Sequence, residues 1–477
     1  KARSYSRRIF RDMERNPISL NVCSIQESNG LTKEDIEYFA NGDESLKKDI
    51  EYLVEVFNDA KEYGSILEVK SVDFDSLENR LKEIEEDTYS LLNRENREKI
   101  LEIVPSLAKQ GKLMSNKYDV CATNPPYMGS KGMSIKLNNY AKKYYKNTKS
   151  DLGAIFIEKC MEYTKYNRYS AMITMHSWMF LSSFEDLRKN IQSNVFISSL
   201  VHLGTKAFEE IGGEVVQTVS WIIKNEKSQK NGKFIRLVDY NSSKLKENEF
   251  FNKLNHYECN QIKFNRIPGT PIIYWISDHI YDIFNKGTKL GDIAAPRKGN
   301  STSDNNRFLR LWSEVEKSKI NLESKLIVKE NTIKDRWFPY NKGGGYRKWY
   351  GNNEYIIDWK NDGEEIRNIP TAVIANYQYF MKPGLTWSTV SSNRFSIRKF
   401  EDGFIFDNGG CCLFTNENER VYYLALLNSN VFHYIFGTLN PTLNFQSGEV
   451  AKFPIIRENE EYIENINRIA TLNVSIS

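Results

Sequence analysis

Hydrophobic positions along this chain keep helical spacing in some stretches and strand spacing in others. Between residues 32 and 111, Leu46, Ile50, Leu53, Val54 and Phe57 mark an apolar stripe against alternating acids and bases. That pattern predicts helices with one buried stripe and a solvated face. A short extended piece near 66–72 interrupts them. Leu20 to Ile25 and Tyr118 to Thr123 are short and largely apolar, and both read as buried strands. The second stops at Asn124, because Pro125 and Pro126 have no N–H to give a ladder. Leu152, Ile155, Phe156, Cys160 and Tyr163 predict a helix over 151–166, with Ser150 as its N-cap. Tyr169 to His176 reads as a strand. Ser182 to Glu185 has capping-box spacing for a helix to about Asn194. Phe196 to Leu203 and Glu214 to Lys224 read as two further strands. The alternation fits the second half of a doubly wound α/β sheet ending in a hairpin.

The rest of the chain changes character. Lys1 to Arg15 is basic and reads as a helix end followed by a loop. Residues 224–233, dominated by Lys, Asn, Gln and Ser, read as a linker or loop. After about residue 290 the chain turns aromatic and basic. Arg297 and Lys298 precede Asp304 to Arg310, then Arg336-Trp337-Phe338, Tyr340 and Tyr346-Arg347-Lys348-Trp349-Tyr350. Gly343 to Gly345 lack the helix opening of a phosphate-binding loop. Arg and Asn on such loops suit the reading of base edges. An aromatic core with solvated Arg and Lys gives the same composition. Leu424 to Phe436 reads as a packing helix, and Gly448 to Ile456 returns the chain from this region.

With 477 residues the chain has room for two or three domains. Hydrophobic content of 40% and charged content of 27% mark a globular protein. No apolar run approaches the roughly 18 residues of a membrane span, and no secretory signal is present. A net charge of +4 leaves nucleic-acid binding to local patches. The six cysteines show no zinc or redox spacing, and Cys121 and Cys160 read as small core residues. The histidines form no metal-ligand spacing, so no metal is expected, and a reducing cytoplasm fits.

The chemistry concentrates at Asn124-Pro125-Pro126-Tyr127. In open α/β sheets, ligands bind at the C-terminal ends of strands. An exocyclic amine on an aromatic ring is a poor nucleophile, because its lone pair is delocalised. The Asn124 amide oxygen and the Pro125 carbonyl can accept its two N–H bonds and localise that lone pair. Stiff prolines fix the acceptors before reaction, where electrostatic catalysis gains most. Tyr127 can stack on a base swung out of a duplex. The quartet resembles the catalytic motif of amino-group DNA methyltransferases that use S-adenosylmethionine. Downstream, residues 130–150 hold six lysines and no acid, with Tyr140, Tyr144 and Tyr145 interleaved. Such a segment grips phosphates and stacks on bases, or is an ordinary solvated lysine face. His176 reads as a site-lining or capping residue, and Trp178 as core.

A longer resemblance covers nearly the whole chain. It runs through Asn124 to Met133, Ser150-Asp151-Leu152, Ser177 to Ser183, His202-Leu203-Gly204, Gly212 to Thr218, Asp304 to Leu309 and Asn440 to Phe445. These stretches resemble the PglX family, the adenine-specific DNA methyltransferases of BREX phage-defence systems. The resemblance implies a partial class I (Rossmann-like) methyltransferase sheet with a helical insertion over about 32–111, followed by a mixed α/β target-recognition domain. Domain limits follow as 1–235 for the methyltransferase part, 236–290 for a connector, 291–457 for target recognition and 458–477 for the start of a further segment. The catalytic group would be Asn124, Pro125, Pro126 and Tyr127. Leu20 to Ile25 would be the third strand of the methyltransferase sheet, whose exit, Gln26 or Glu27, lies beside the adenine ring of S-adenosylmethionine together with Asn124. A solvated strand exit is the alternative for Gln26 and Glu27. Lys131, Lys136, Lys142, Lys143, Arg297, Arg307, Arg347 and Lys348 are the candidate contacts to double-stranded DNA. Other phage-defence proteins are possible partners, and no membrane is implied.

The reading expected is therefore a site-specific DNA adenine methyltransferase. Adenine over cytosine rests on the resemblance alone. A class I methyltransferase needs a Gly-rich turn after its first strand and an acid after its second. Neither precedes Asn124, and the resemblance places them before Lys1. Residues 404–412, with Asp407, Gly409 and Gly410, are a weak permuted candidate without a helix behind the glycines. The alternative is a DNA-recognition module, or a methyltransferase-like subunit of a restriction-modification enzyme, inactive without that segment.

Overall fold

In a computed structural model of the protein, the helical periodicity between residues 32 and 111 becomes four main helices. The structure describes residues 7–8, 11–12, 14–15, 21–87, 93–208, 216–322, 336–391, 394–440, 444–457 and 460–477. Most of Lys1 to Arg15, Leu20, the Gly212 to Val215 motif with the start of its strand, and Pro441 to Leu443 lie outside the described residues. The chain divides into two compact units, residues 1–178 with 183–258, and 179–182 with 259–477. No helix among the described residues is long and apolar enough to cross a membrane.

These four helices are Lys33–Ala40, Glu44–Val56, Phe74–Glu86 and Arg94–Ser115. The starts of the first three are fixed by side chains that take orphan backbone N–H groups. Thr32 and Asp35 form a reciprocal capping box, Asp43 accepts from Ser45 and Leu46, and Asp73 accepts from Ser76. The stripe predicted from sequence closes on itself: Ile50, Leu53 and Phe57 are fully buried with Phe39, Leu77 and Leu107. Each such side chain contributes about 1.5–3 kcal/mol by leaving water. Gly111 permits the closest approach, because a Cβ there would stand 3.0 Å from the Phe74 ring and 3.1 Å from Leu53.

Residues 21–25 correct the expected strand. They run without regular structure and pair with no strand among the described residues. A side-chain amide replaces a ladder partner. Gln26 N donates to Gln110 Oε1 at 2.8 Å, and Gln110 Nε2 donates back to the Gln26 carbonyl at 2.9 Å.

Six strands form the sheet of the first unit: β1 (Tyr118–Thr123), β2 (Thr164–Met175), β3 (Phe196–Gly204), β4 (Thr218–Lys224), β5 (Asn231–Arg236) and β6 (His256–Asn260). Their order is β1-β2-β4-β3-β5-β6. The sheet is mixed. β1 runs parallel to β2 and β3 parallel to β5, while β4 is antiparallel to both β2 and β3. The expected hairpin of β3 and β4 is present, but β5 begins inside the stretch read as a linker. β1 has the predicted bounds, yet among the described residues it is an edge strand with one exposed face. One of its faces, with Cys121, lies against the helix Leu152–Tyr163, where Cys160 is buried. The other exposes Tyr118 and Val120, the latter at 62%. Helix starts also differ from expectation. Asp151, not Ser150, caps Leu152–Tyr163, and a 3-10 turn at Ser182–Phe184 replaces the capping box before Glu185–Asn194.

The second unit adds β7 (Thr288–Lys289), β8 (Ala295–Arg297), β9 (Leu309–Leu311), β10 (Trp337–Asn341), β11 (Trp349–Tyr350) and β12 (Tyr355–Asp358). It continues with β13 (Gly384–Ser388), β14 (Ile397–Phe400), β15 (Ile405–Phe406), β16 (Gly410–Phe414) and β17 (Pro454–Ile455). Two sheets dominate, ordered β15-β10-β12-β9 and β11-β14-β13-β16-β8, and β7 pairs with β17. Phe338, Tyr340, Trp359, Phe406 and Phe414 share one core, so much of the aromatic content is packing. Asp407, Gly409 and Gly410 form a turn between strands, not a strand–turn–helix cofactor loop. Asp407 accepts from Tyr340 Oη, Lys342 Nζ and Gly409 N at 2.8, 2.9 and 2.6 Å. The expected helix over 424–436 is two helices, Glu417–Asn428 and Asn430–Leu439, because Ser429 adopts extended backbone and caps the second.

The helical core gives a direct stability prediction. Leu53→Ala removes a fully buried side chain and leaves a cavity. It should lower unfolding free energy by about 2–5 kcal/mol in urea denaturation. A loss under about 1 kcal/mol would mean that this cluster is loosely packed.

Candidate active site

Past Thr123 the chain leaves the ladder at Asn124 and is captured by the start of the next long helix. The Met128 carbonyl accepts from Leu152 N, and Ser130 N donates to the Ser150 carbonyl, both at 2.9 Å. Gly129 and Asp151 form an antiparallel bridge between these bonds. The Asp151 carboxylate accepts from Ala154 N at 3.1 Å and so caps the helix. Burial pushes the Asp151 carboxyl up, against the opposing pull of the Ala154 and Gly153 N–H groups. Pro125 is buried on this helix start, where a Cβ on Gly153 would stand 3.8 Å from Pro125 Cγ and 3.7 Å from the Pro126 carbonyl.

Asn124 itself is exposed, and its side chain hydrogen-bonds to no other described residue. Beside it, Tyr127 is half-buried, with its hydroxyl 3.5 Å from the Ile173 carbonyl of β2. Burial pushes the Tyr127 phenol up. The arrangement presents a free amide head at a strand end, on backbone held by two prolines and a helix N-terminus, with an aromatic ring alongside.

Gln26 and Glu27 are half-buried and partly engaged. Gln26 Nε2 donates to Ser24 Oγ at 2.7 Å, and Glu27 Oε1 accepts from Lys61 N at 3.2 Å. Further along the same loop, Asn29 Nδ2 donates to the Asp59 carboxylate and Asn29 Oδ1 accepts from Asp59 N.

The lysines after the quartet divide. Lys136 is bound to Asp59 at 2.6 Å and holds that carboxyl below its usual range. Lys131, Lys142 and Lys143 are exposed and make no ion pair among the described residues. Lys143 lies 4.8 Å over the Tyr144 ring. Tyr140 and Tyr145 are not free to stack on bases. The Tyr140 hydroxyl accepts from Glu68 N at 3.1 Å, and the buried Tyr145 donates to the Ile66 carbonyl at 2.5 Å. Tyr144 remains exposed at 45%.

The four cations of the second unit also divide. Arg297 lies 5.3 Å over the Tyr379 ring, and exposed Arg307 pairs with Glu365 at 2.7 Å. Lys348 donates to the Asn428 carbonyl at the end of Glu417–Asn428, a helix C-terminal cap. Arg347 is exposed and makes no ion pair among the described residues.

One feature of the first unit escaped the sequence. His176 Nδ1 and His202 Nε2 stand 2.9 Å apart in the buried interior. Thr174 and His202 are opposite the same β4 residue, Val219, so the β2-β4-β3 order brings the two histidines together. Burial pushes His176 down to about 4. His202 is pushed well down by burial, then by His176, Arg236 and Lys246. Both rings are therefore neutral near pH 7, one donating to the other.

Residues 22–208 match the Eco57I restriction-modification methylase family. The chain is 40% identical over 429 residues to the adenine-specific methyltransferase PglX of Lacticaseibacillus casei (strain Zhang), covering 85% of this chain and 35% of that protein. It is 38% identical over 429 residues to the adenine-specific methyltransferase BrxX of Escherichia coli O9:H4 (strain HS), covering 88% and 34%. The chain thus spans about a third of the length of these curated relatives. Among solved structures, the Type IIL restriction-modification enzyme MmeI in complex with DNA aligns with 74% of this chain and 48% of its own, at 16% identity and a TM-score of 0.48.

The histidine pair predicts acid sensitivity. A histidine whose folded pKa lies below its unfolded value stays neutral in the native state while the unfolded chain takes up a proton. Stability is then present above about 6.5 and is lost as pH falls towards 4. Between pH 7 and 5, His176 alone should cost about 2 kcal/mol. Urea unfolding at both pH values should show a clearly smaller loss for His176→Gln than for the unmodified protein. Equal losses would remove His176 as the cause.

Proposed function

Because the chain is a relative of the PglX and BrxX adenine-specific methyltransferases, we propose that it carries the amine-activating part of a site-specific DNA adenine methyltransferase acting in phage defence. The observation that carries this reading is the free Asn124 side chain at the end of β1, on backbone fixed by Pro125 and by the start of Leu152–Tyr163. The six-stranded sheet would be part of a class I methyltransferase domain, residues 33–115 its helical insertion, and residues 291–457 the target-recognition domain.

In this reading the target adenine leaves the duplex and stacks on Tyr127. Its exocyclic amine donates one N–H to the Asn124 amide oxygen and the other to the Pro125 carbonyl. Both bonds strengthen as the nitrogen becomes pyramidal and positive, so they favour the transition state over the ground state. No strong base is required. Tyr127 has its phenol pushed up by burial and stays neutral, suited to stacking and not to proton removal. Lys131, Lys142 and Lys143 would neutralise backbone phosphates near the site, and Arg347 would do so in the recognition domain.

The methyl donor in this reading is S-adenosylmethionine. When bound, it supplies an electrophilic methyl group on a sulfonium. The residues present fit one side of it. Asn124 is free, and the Gln26 amide oxygen accepts no hydrogen bond from another described residue, so it could take the amine of the donor's adenine ring. Glu27 keeps its second oxygen beside the one that accepts from Lys61 N.

Loss of the Asn124 acceptor should be severe and specific. In the full-length protein, Asn124→Ala should reduce methyl transfer to duplex DNA by about a hundredfold or more. Affinity for the same duplex should hold. Incorporation of tritiated methyl groups and fluorescence anisotropy measure the two. Near-normal transfer by Asn124→Ala would sink the assignment.

A further inference from the structure

The second unit buries a cation with no anion beside it. Arg398 on β14 is 1% exposed. Its head has one hydrogen bond among the described residues, a long 3.5 Å donation from Nη1 to the Arg347 carbonyl, and its Nε has no partner. No carboxylate pairs with it among the described residues. The charged or titratable groups that act on it are Arg347, which repels it, and the Cys412 thiol. Burying an unpaired guanidinium is unfavourable, because its hydration is lost and nothing replaces it. A group kept at that cost is either a structural accident or a ligand contact waiting for its partner.

Three features favour the ligand. First, the register of the five-stranded sheet sets Trp349, Arg398, Thr386, Cys412 and Arg297 in one row across β11, β14, β13, β16 and β8. Laterally paired residues share a face, so Arg398 and Arg297 rise from the same side of the sheet, about 14 Å apart at the usual strand spacing. Arg297 also makes no ion pair among the described residues; it rests on Tyr379.

Second, the segment next to Arg398 is an edge element: among the described residues its β11 pairs with β14 alone, over two residues. Between β10 and β12 it is further fixed by Ser388 Oγ donating to the Gly344 carbonyl, Arg347 N to Ser396 Oγ, Lys348 Nζ to the Asn428 carbonyl and Asn352 Nδ2 to the Gly345 carbonyl. Third, that segment stores backbone strain. Trp349 has φ of 71°, a region that a bulky residue rarely enters. It carries the exposed Arg347, whose backbone carbonyl accepts from the buried Arg398.

We propose that Arg398 is a phosphodiester contact held in reserve: duplex DNA displaces the 343–351 segment, and Arg398 then joins Arg347 on a backbone phosphate. This rests on the reading of residues 291–457 as the part that recognises DNA. Binding would relieve two costs together, the unpaired cation and the strained segment. The phosphate oxygens would accept the donors that Arg398 leaves unused.

The test measures duplex affinity by anisotropy across a salt series, together with thermal stability, for the full-length protein and its Arg398→Met and Arg398→Lys variants. Losing one phosphate contact should reduce the slope of log affinity against log salt by about 0.9, and weaken binding about tenfold near 0.1 M salt. Arg398→Met should show this with an unchanged or raised melting temperature, and Arg398→Lys should keep the slope. A lowered melting temperature with unchanged slope would overturn the proposal in favour of a purely structural role. A loss confined to one base pair of the target, at constant slope, would instead mean a base-edge contact and would also overturn it. Hydrogen exchange on the unmodified protein does not depend on the variants folding. Addition of duplex should change exchange in peptides covering 343–351, and no change would count against displacement. If the unmodified protein shows no salt-dependent duplex binding at all, it is the DNA-recognition reading itself that fails.

Discussion

The candidate site depends on one local capture, the seating of Met128 to Ser130 on the start of the helix Leu152–Tyr163. Two backbone bonds and the Asp151 cap join a strand end to a helix start across an excursion of some twenty residues. The proline pair cannot rejoin a ladder, so the chain must be held by another element. The helix N-terminus offers N–H groups that need acceptors, and the Met128 carbonyl supplies one. The excursion itself is tied down at Tyr140 and Tyr145, whose hydroxyls bond the helical region near residues 66–68. The exposed amide of Asn124 therefore sits on backbone whose position is set from both sides.

The strand that ends at Asn124 was legible because its signal is local. A β-rich run followed by two prolines fixes strand, stop and orientation within ten residues, and β1 has the predicted bounds. The helical stripe of Ile50, Leu53 and Phe57 was legible for the same reason, since periodicity alone specifies its buried face. Burial of β1 was not, because neighbours, not composition, decide whether an apolar strand lies at an edge. Residues 21–25 are apolar enough to be a strand, yet Gln110 answers the Gln26 backbone with a side-chain amide. No short-range pattern announces that substitution. The histidine pair required the order β2-β4-β3, and the unpaired Arg398 required the register of five strands.

The candidate cations show the same limit. Eight basic residues in sequence look alike, but their partners separate them. Lys348 completes a helix C-terminus, Lys136 answers Asp59, and Arg307 answers Glu365. Exposed pairs of this kind contribute at most about 1 kcal/mol and exchange readily with phosphate, so they do not bar nucleic-acid contact. Lys131, Lys142, Lys143 and Arg347 carry no such competitor among the described residues. The interleaved tyrosines gave a false impression of a stacking surface, because two of the three spend their rings and hydroxyls on the adjoining helices.

In the proposed reaction the helix start holds Asn124 and the Pro125 carbonyl in place. Asp151→Ala in the full-length protein removes the cap while leaving the quartet untouched, and the measurement is its methyl-transfer rate at saturating duplex. A displacement of about 1 Å at reacting groups can cost about a hundredfold. The rate should fall at least about tenfold, with duplex affinity and overall folding retained. An unchanged rate would contradict this, and would mean that Asn124 and the Pro125 carbonyl are positioned without the clamp.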